Sequence, residues 1–196
     1  MTDKEMKEYV KGLIHKYGYY DPIGDRVEAL RLGKIKNTKL LDIGAGKGYL
    51  AILAAKKFNC DVVSIDKSKG KIKLARENAR KEGVLDKIKF KLCDATKLPF
   101  KANTFDAAFS FNALHHIKKE YSKAIREMFR VSKNKVVVTE LNTKGVKAFD
   151  EYVYPEGDHK SMAIDLEELE NKLQQYSRVK RFDRKLMSTF VCEEGS

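Results

Sequence analysis

The stretch Lys39–Leu50, KLLDIGAGKGYL, constrains this chain more than any other. Leu40, Leu41 and Ile43 form a short apolar run, the pattern of a strand buried on both faces of a parallel sheet. Three glycines follow at alternate positions, Gly44, Gly46 and Gly48, and Tyr49–Phe58 then has helical spacing. A strand, a glycine turn and a helix together aim backbone N–H groups and a helix N-terminus at an anionic group. Glycine suits the turn because the backbone must reverse tightly and admit a ligand where a Cβ would stand. Such a loop alone also fits, though less well, a turn that holds no ligand, so the acids further along strengthen the argument.

Asp61–Asp66 reads as a second strand ending in an acid. A carboxylate at that place in a nucleotide fold can accept from both ribose hydroxyls at once. The competing role for Asp66 is the N-cap of the next helix, but Ser68 is an equally good cap. Ser68–Glu82 has helical spacing, with Gly83 as its C-cap. Ile88–Cys93 alternates apolar and charged residues, as a third strand does, and runs into Asp94-Ala-Thr-Lys-Leu-Pro-Phe100. Asp94 by itself also fits a turn-forming Asx residue. Thr104–Asn112 is the fourth strand, followed by Ala-Leu-His-His-Ile117 and a helix to Val131. Val131–Lys135 reads as a turn and Val136–Glu140 as a fifth strand.

Asp-x-Gly-x-Gly-x-Gly at Asp42–Gly48 is not the dinucleotide pattern G-x-G-x-x-G. It resembles motif I of the class I S-adenosylmethionine-dependent methyltransferases. Asp94–Phe100 resembles the D-A-x-x-L-P-F segment of the same family. Phe105–Ile117, with Leu114-His115-His116, is similar to its quinone-biosynthesis and small-molecule subgroup. The resemblance spans roughly Lys39 to Val138. It implies a Rossmann-like α/β fold: a seven-stranded, mostly parallel sheet with an antiparallel last strand, helices on both faces and an N-terminal helical extension. It implies S-adenosylmethionine as cofactor and S-adenosylhomocysteine as product. Asp42, Gly44, Ala45, Gly46 and Gly48 would take the methionine end, Asp66 the ribose and Asp94 the adenine amino group; Lys67, Ala95 and Asn112 join the cofactor set. The turn at Val131–Lys135 departs from the Leu-Lys-Pro-Gly-Gly of many relatives.

The flanks are less diagnostic. Asp3–Lys16 is amphipathic and Pro22–Leu32 helical in pattern, with Tyr17, Tyr19 and Tyr20 between them. Those tyrosines either line a pocket or pack a helix against the sheet. Leu141–Ser161 has little periodicity and leaves the carboxyl end of the fifth strand, so it is either the place of acceptor recognition or, equally, a polar surface loop. Asp165–Tyr176 reads as a helix, and Arg178–Asp183 with Met187–Cys192 as a closing hairpin. The whole chain, 1–196, reads as a single methyltransferase domain: extension 1–36, cofactor core 37–141 and acceptor-side segment 142–196.

With 42% hydrophobic and 35% charged residues the chain suits a soluble globular protein. No run is long enough to span a membrane, and the first residues lack an apolar signal core, so a cytoplasmic location and no membrane partner are expected. Cys60, Cys93 and Cys192 suggest neither a disulfide framework nor a zinc site, and no metal is expected. The net charge of +12 fits either a nucleic-acid partner such as RNA, or another anionic partner, or solvated helix faces; the spread of lysines along the chain favours the last.

Methyl transfer by in-line displacement needs the acceptor held near an electrophilic methyl group. A base helps only if the acceptor must lose a proton. Candidates are His115, His116 and His159, with Glu140 and Tyr20 behind them. The Asn/Asp-Pro-Pro-aromatic motif of base-amino methylation is absent, and no cysteine has the context of a cytosine-C5 nucleophile. A small-molecule acceptor is therefore the leading expectation. An RNA or protein methyltransferase, and a non-catalytic cofactor-binding partner protein, are the alternatives. Oligomeric state is left open.

Overall fold

The computed structural model describes residues 22–150 and 163–193. The helix expected at Asp3–Lys16, the tyrosines Tyr17, Tyr19 and Tyr20, and His159 lie outside the described residues. In chain order the elements are α1 (Pro22–Leu32), β1 (Lys39–Ile43), α2 (Tyr49–Phe58), β2 (Asp61–Asp66), α3 (Lys69–Lys81) and β3 (Ile88–Leu92). There follow β4 (Phe105–Phe111), α4 (Tyr121–Val131), β5 (Ser132–Leu141), α5 (Thr143–Ala148), α6 (Leu166–Gln174), β6 (Arg178–Asp183) and β7 (Met187–Glu193).

The strands form one seven-stranded sheet in the order β3-β2-β1-β4-β5-β7-β6. Neighbours among β1 to β5 pair parallel, and β7 is antiparallel to both β5 and β6. The strand order reverses beside β1, between β2 and β4, which opens a crevice at their carboxyl ends. This is the Rossmann-like architecture that the motifs implied, with the last strand inserted beside the fifth.

Two apolar layers clamp the sheet. On one face Leu40, Val62, Phe90 and Phe109 pack with Ala29 and Leu30 of α1, Leu50–Ala55 of α2, and Ala75 and Ala79 of α3. On the other, Leu41, Ile43, Val136 and Phe190 pack with Ile125 and Met128 of α4 and Leu169 and Leu173 of α6. Alternate residues of one strand thus enter opposite cores, which is why the central strands read as unbroken apolar runs. The outer strands differ: β3 is half exposed and β6 alternates charge with partial burial.

Local signals behave as their chemistry requires. Ser68 caps α3, its hydroxyl accepting from Lys71 N. Gly83, just past the last turn of α3, takes a φ of +70°. Asp165 caps α6 by accepting from Glu167 N and Glu168 N.

Two expectations need correction. Val131–Lys135 is not a turn, because β5 begins at Ser132, directly after α4. Ser132 pairs with Phe105, and a register shift between Phe105 and Ala107 absorbs the irregularity inside the sheet. Leu141–Ser161 is not wholly aperiodic either. Asn142 caps the short helix α5 by accepting from Gly145 N. Gly145 is there for space, since a Cβ on it would lie 1.9 Å from the Leu186 carbonyl oxygen.

Candidate functional site

The carboxyl ends of β1, β2 and β4 bring together most of the residues singled out in the sequence. After β1 the chain turns through Gly44, with Gly44 N and Ala45 N donating to the Ile65 carbonyl at 2.9 and 2.8 Å. Gly44, Gly46 and Gly48 have φ of +87°, +53° and +84°, a region that favours glycine. A Cβ on Gly44 would lie 2.4 Å from Ala113 Cβ, so the loop after β1 touches the loop after β4. A Cβ on Gly46 would meet nothing closer than 3.9 Å and would project into the open space over the loop. The loop ends at Gly48, which precedes the first turn of α2.

Asp66 braces this loop. Its Oδ2 accepts from Gly46 N at 3.0 Å and its Oδ1 from Ser68 N at 2.9 Å. Each carboxylate oxygen has a second lone pair, so two hydroxyl donors can still be taken. Lys67 beside it is exposed. Asp94 makes the Asx turn that its sequence allowed, Oδ1 accepting from both Thr96 N and Thr96 Oγ1 at 2.8 Å. Those bonds hold its carboxyl below the usual range. Ala95, which follows, is half-buried.

Asp42 is placed differently. It is buried within β1, in register with Ser64 of β2, and accepts from the Ser64 hydroxyl at 2.6 Å. Burial pushes its carboxyl up to about 7, against the Ser64 bond and the positive charge of Arg26. Arg26 belongs to none of the sequence motifs. Its guanidinium stands 4.4 Å from the Phe111 ring centroid and 5.7 Å from that of Tyr49, the first residue of α2. No local pattern marks it, because only the packing of α1 on α2 brings it to the loop.

On the β4–β5 side Asn112 has φ +49°, and its side-chain amide donates to Met187 Sδ at 3.8 Å. Next to it Glu140, at the end of β5, is buried. Its Oε1 accepts from Ala113 N at 3.1 Å and Leu114 N at 2.9 Å, and its Oε2 lies 2.7 Å from His115 Nδ1. Glu140 is therefore the hub of the loop after β4 rather than a free base. His115 is buried, while His116 is exposed with its ring centroid 4.0 Å from that of His115. His115 and Glu140 also line a small cavity with Leu141, Val146, Ala163 and Ile164.

The remaining candidates, Tyr20 and His159, lie outside the described residues. Among the described residues no group of three or more His, Cys, Asp or Glu is arranged to hold a metal ion. Among them, too, no helix is long and apolar enough to cross a membrane.

Known proteins resemble this chain in sequence and in fold. Residues 34–187 match the model of a family described as a methyltransferase domain. The chain is 31% identical over 127 residues to the methyltransferase GfsG of Streptomyces halstedii, covering 59% of this chain and 45% of that protein. It is 34% identical over 111 residues to norajmaline N-methyltransferase of Rauvolfia serpentina, covering 54% and 38%. Demethylmenaquinone methyltransferase of Bacteroides fragilis is 33% identical over 108 residues, covering 54% and 44%. The matched part is thus less than half the length of these curated relatives. Among solved structures, an S-adenosylmethionine-dependent methyltransferase from Aquifex aeolicus superposes with a TM-score of 0.72 at 18% identity, covering 96% of both chains. A Haemonchus contortus phosphoethanolamine N-methyltransferase in complex with S-adenosylhomocysteine does so at 0.68 and 21%, covering 88% of this chain and 53% of that one.

Proposed function

The chain belongs to a family of methyltransferase domains, and on that premise we propose that it transfers a methyl group from S-adenosylmethionine to a small-molecule acceptor. The observation that carries this reading is the loop geometry. Three positive-φ glycines leave open space over Gly46, Asp66 braces the loop from β2, and Asp94 stands on the next strand end. An adenosine joined to a short amino acid matches that donor and acceptor set.

In this reading the remaining lone pairs of Asp66 accept the two ribose hydroxyls. Asp94 accepts from the adenine amino group through Oδ2, its Oδ1 being held by Thr96. Lys67 and Ala95 flank the adenine, and Gly44 to Gly48 with Asn112 enclose the methionine end. The N-terminus of α2 and Arg26 supply positive charge for the methionine carboxylate. S-adenosylmethionine supplies, when bound, a methyl group made electrophilic by its sulfonium.

The protein's own contribution is placement and, where needed, a proton acceptor. Glu140 takes Nδ1–H of His115, which leaves Nε2 as the basic nitrogen of that ring. His115 is the base of this reading, for acceptors that must lose a proton, and Glu140 is a positioning residue. Holding the acceptor in line supplies much of the rate by removing its translational freedom. The relatives norajmaline N-methyltransferase and demethylmenaquinone methyltransferase support a small acceptor.

Two measurements test this. Methyl-radiolabelled S-adenosylmethionine is offered with a host-cell extract; label in a small, nuclease- and protease-resistant fraction supports the reading, and label lost to nuclease or protease refutes the small acceptor. Calorimetry of Asp66→Ala is expected to show cofactor binding weaker by about 1–3 kcal/mol, the cost of unpaired hydroxyls. Unchanged affinity in a folded variant removes Asp66 from the ribose.

A further inference from the structure

The net charge of +12 is not evenly distributed. Residues 67–101 contain twelve lysines and arginines against four acids, net +8, within 35 of the 196 residues. This segment is one structural unit, α3 together with the edge strand β3 and the loops around them. Every one of its twelve basic residues is exposed. Among the described residues none of the twelve lies in an ion pair with a carboxylate, whereas Lys56, Lys123, Arg130, Lys135 and Arg181 elsewhere all do.

The arrangement is ordered. Lys69, Lys73, Arg76 and Arg80 recur at intervals of three and four, which makes one stripe along α3. That stripe faces the open edge of the sheet, because Arg76 reaches over to donate to the Phe90 carbonyl of β3 at 3.4 Å. On β3 itself Lys89 and Lys91 stand on the face opposite to buried Ile88 and Phe90. Lysines on an edge strand discourage pairing with other sheets, but that task needs only Lys89 and Lys91, not the helix stripe. One leucine is exposed next to these lysines, Leu92 at 60%.

We propose that this basic edge docks the protein on an anionic lipid surface. Lysines and arginines near such a surface are drawn to its negative potential, and an apolar side chain beside them, here Leu92, gains by leaving water. Single-stranded nucleic acid fits less well, since its binding surfaces interleave cations with exposed aromatic rings. Here Phe90 is buried and Phe100 is covered by the Lys91 ammonium, 5.4 Å from its ring centroid. The surface does not depend on which reaction the glycine-loop site performs.

The test is flotation of the whole chain with phosphatidylcholine vesicles, with and without phosphatidylglycerol. The expected result is at least about tenfold greater recovery on the anionic vesicles at low salt, falling steeply above about 0.15 M salt. Lys69→Glu, Lys73→Glu, Lys89→Glu and Lys91→Glu combined should abolish that recovery. The same four positions changed to Gln, which add no repulsion, should reduce it strongly with circular dichroism unchanged. Leu92→Ser should weaken recovery without altering its salt dependence. Equal recovery of wild type and the Gln variant, or no recovery on anionic vesicles, overturns the proposal. So does patch- and salt-dependent binding to a homopolymeric RNA with no vesicle binding, which assigns the face to nucleic acid instead.

Discussion

Glu140 holds His115 from the neighbouring strand end, with Oε2 2.7 Å from Nδ1 and both side chains buried. The same carboxylate accepts two backbone N–H groups from the loop that carries the histidine. Glu140→Ala leaves three donors without their acceptor and is expected to destabilise the fold by about 3–5 kcal/mol, read by urea denaturation. Glu140→Gln keeps one oxygen and should cost less, while loosening the His115 tautomer. Nitrogen chemical shifts of the ring report this directly: Nδ1–H in the wild type, a mixed state in the Gln variant. A variant ring that keeps the Nδ1–H tautomer would show that Glu140 does not orient it.

Asp42 sets a pH dependence of stability. Burial raises its carboxyl from an ordinary 3.8 to about 7. The unfolded chain releases this proton near pH 4 and the folded chain retains it to about pH 7. Between those values the folded state binds more protons, so the stability that Asp42 contributes below pH 4 is lost as pH rises to 7. The loss is on the order of 4 kcal/mol. Asp42→Asn should match the wild type near pH 4 and exceed it in stability at pH 8, by denaturation at both values. Equal stabilities at pH 8 would mean that Asp42 ionises normally.

Gly44 and Ala113 are a close-packed pair. Gly44→Ala places a Cβ 2.4 Å from Ala113 Cβ at a φ of +87°. The expected loss is about 2–4 kcal/mol, part clash and part backbone strain. Ala113→Gly in the same chain should relieve the clash and not the strain, giving a coupling energy of about 1 kcal/mol or more in a double-mutant cycle. Purely additive effects would separate the two loops.

The three cysteines should resist thiol reagents to different degrees. Burial pushes Cys192 up to about 12 and raises Cys60 and Cys93 as well. Cys93 is only half-buried, so it should label first with an aromatic disulfide at pH 8, with Cys60 and Cys192 reacting together on unfolding. Peptide mass mapping distinguishes them, and early labelling of Cys192 contradicts the burial of β7.

The glycine loop, the acids ending β2 and following β3, and the order of strands along the chain were legible in the sequence. Each is a local property: apolar period, a dihedral that only glycine adopts easily, or a carboxylate at a strand end. Local competition between caps was legible too, since Ser68 takes α3 and leaves Asp66 to the loop. What the sequence hid lies in contacts between distant residues. Glu140 became a hub because parallel pairing of β4 with β5 sets its carboxylate under the next loop. Asp42 meets Ser64 through the register of β1 with β2, and Arg26 reaches the site only because α1 packs on α2. The short helix α5 has no sequence signal because Gly145, a helix breaker by propensity, is required there by the nearby Leu186 carbonyl. Segment identity follows from short-range periodicity and so can be read along the chain. Partner choice depends on which surfaces the closed sheet brings together, and only the tertiary structure decides that.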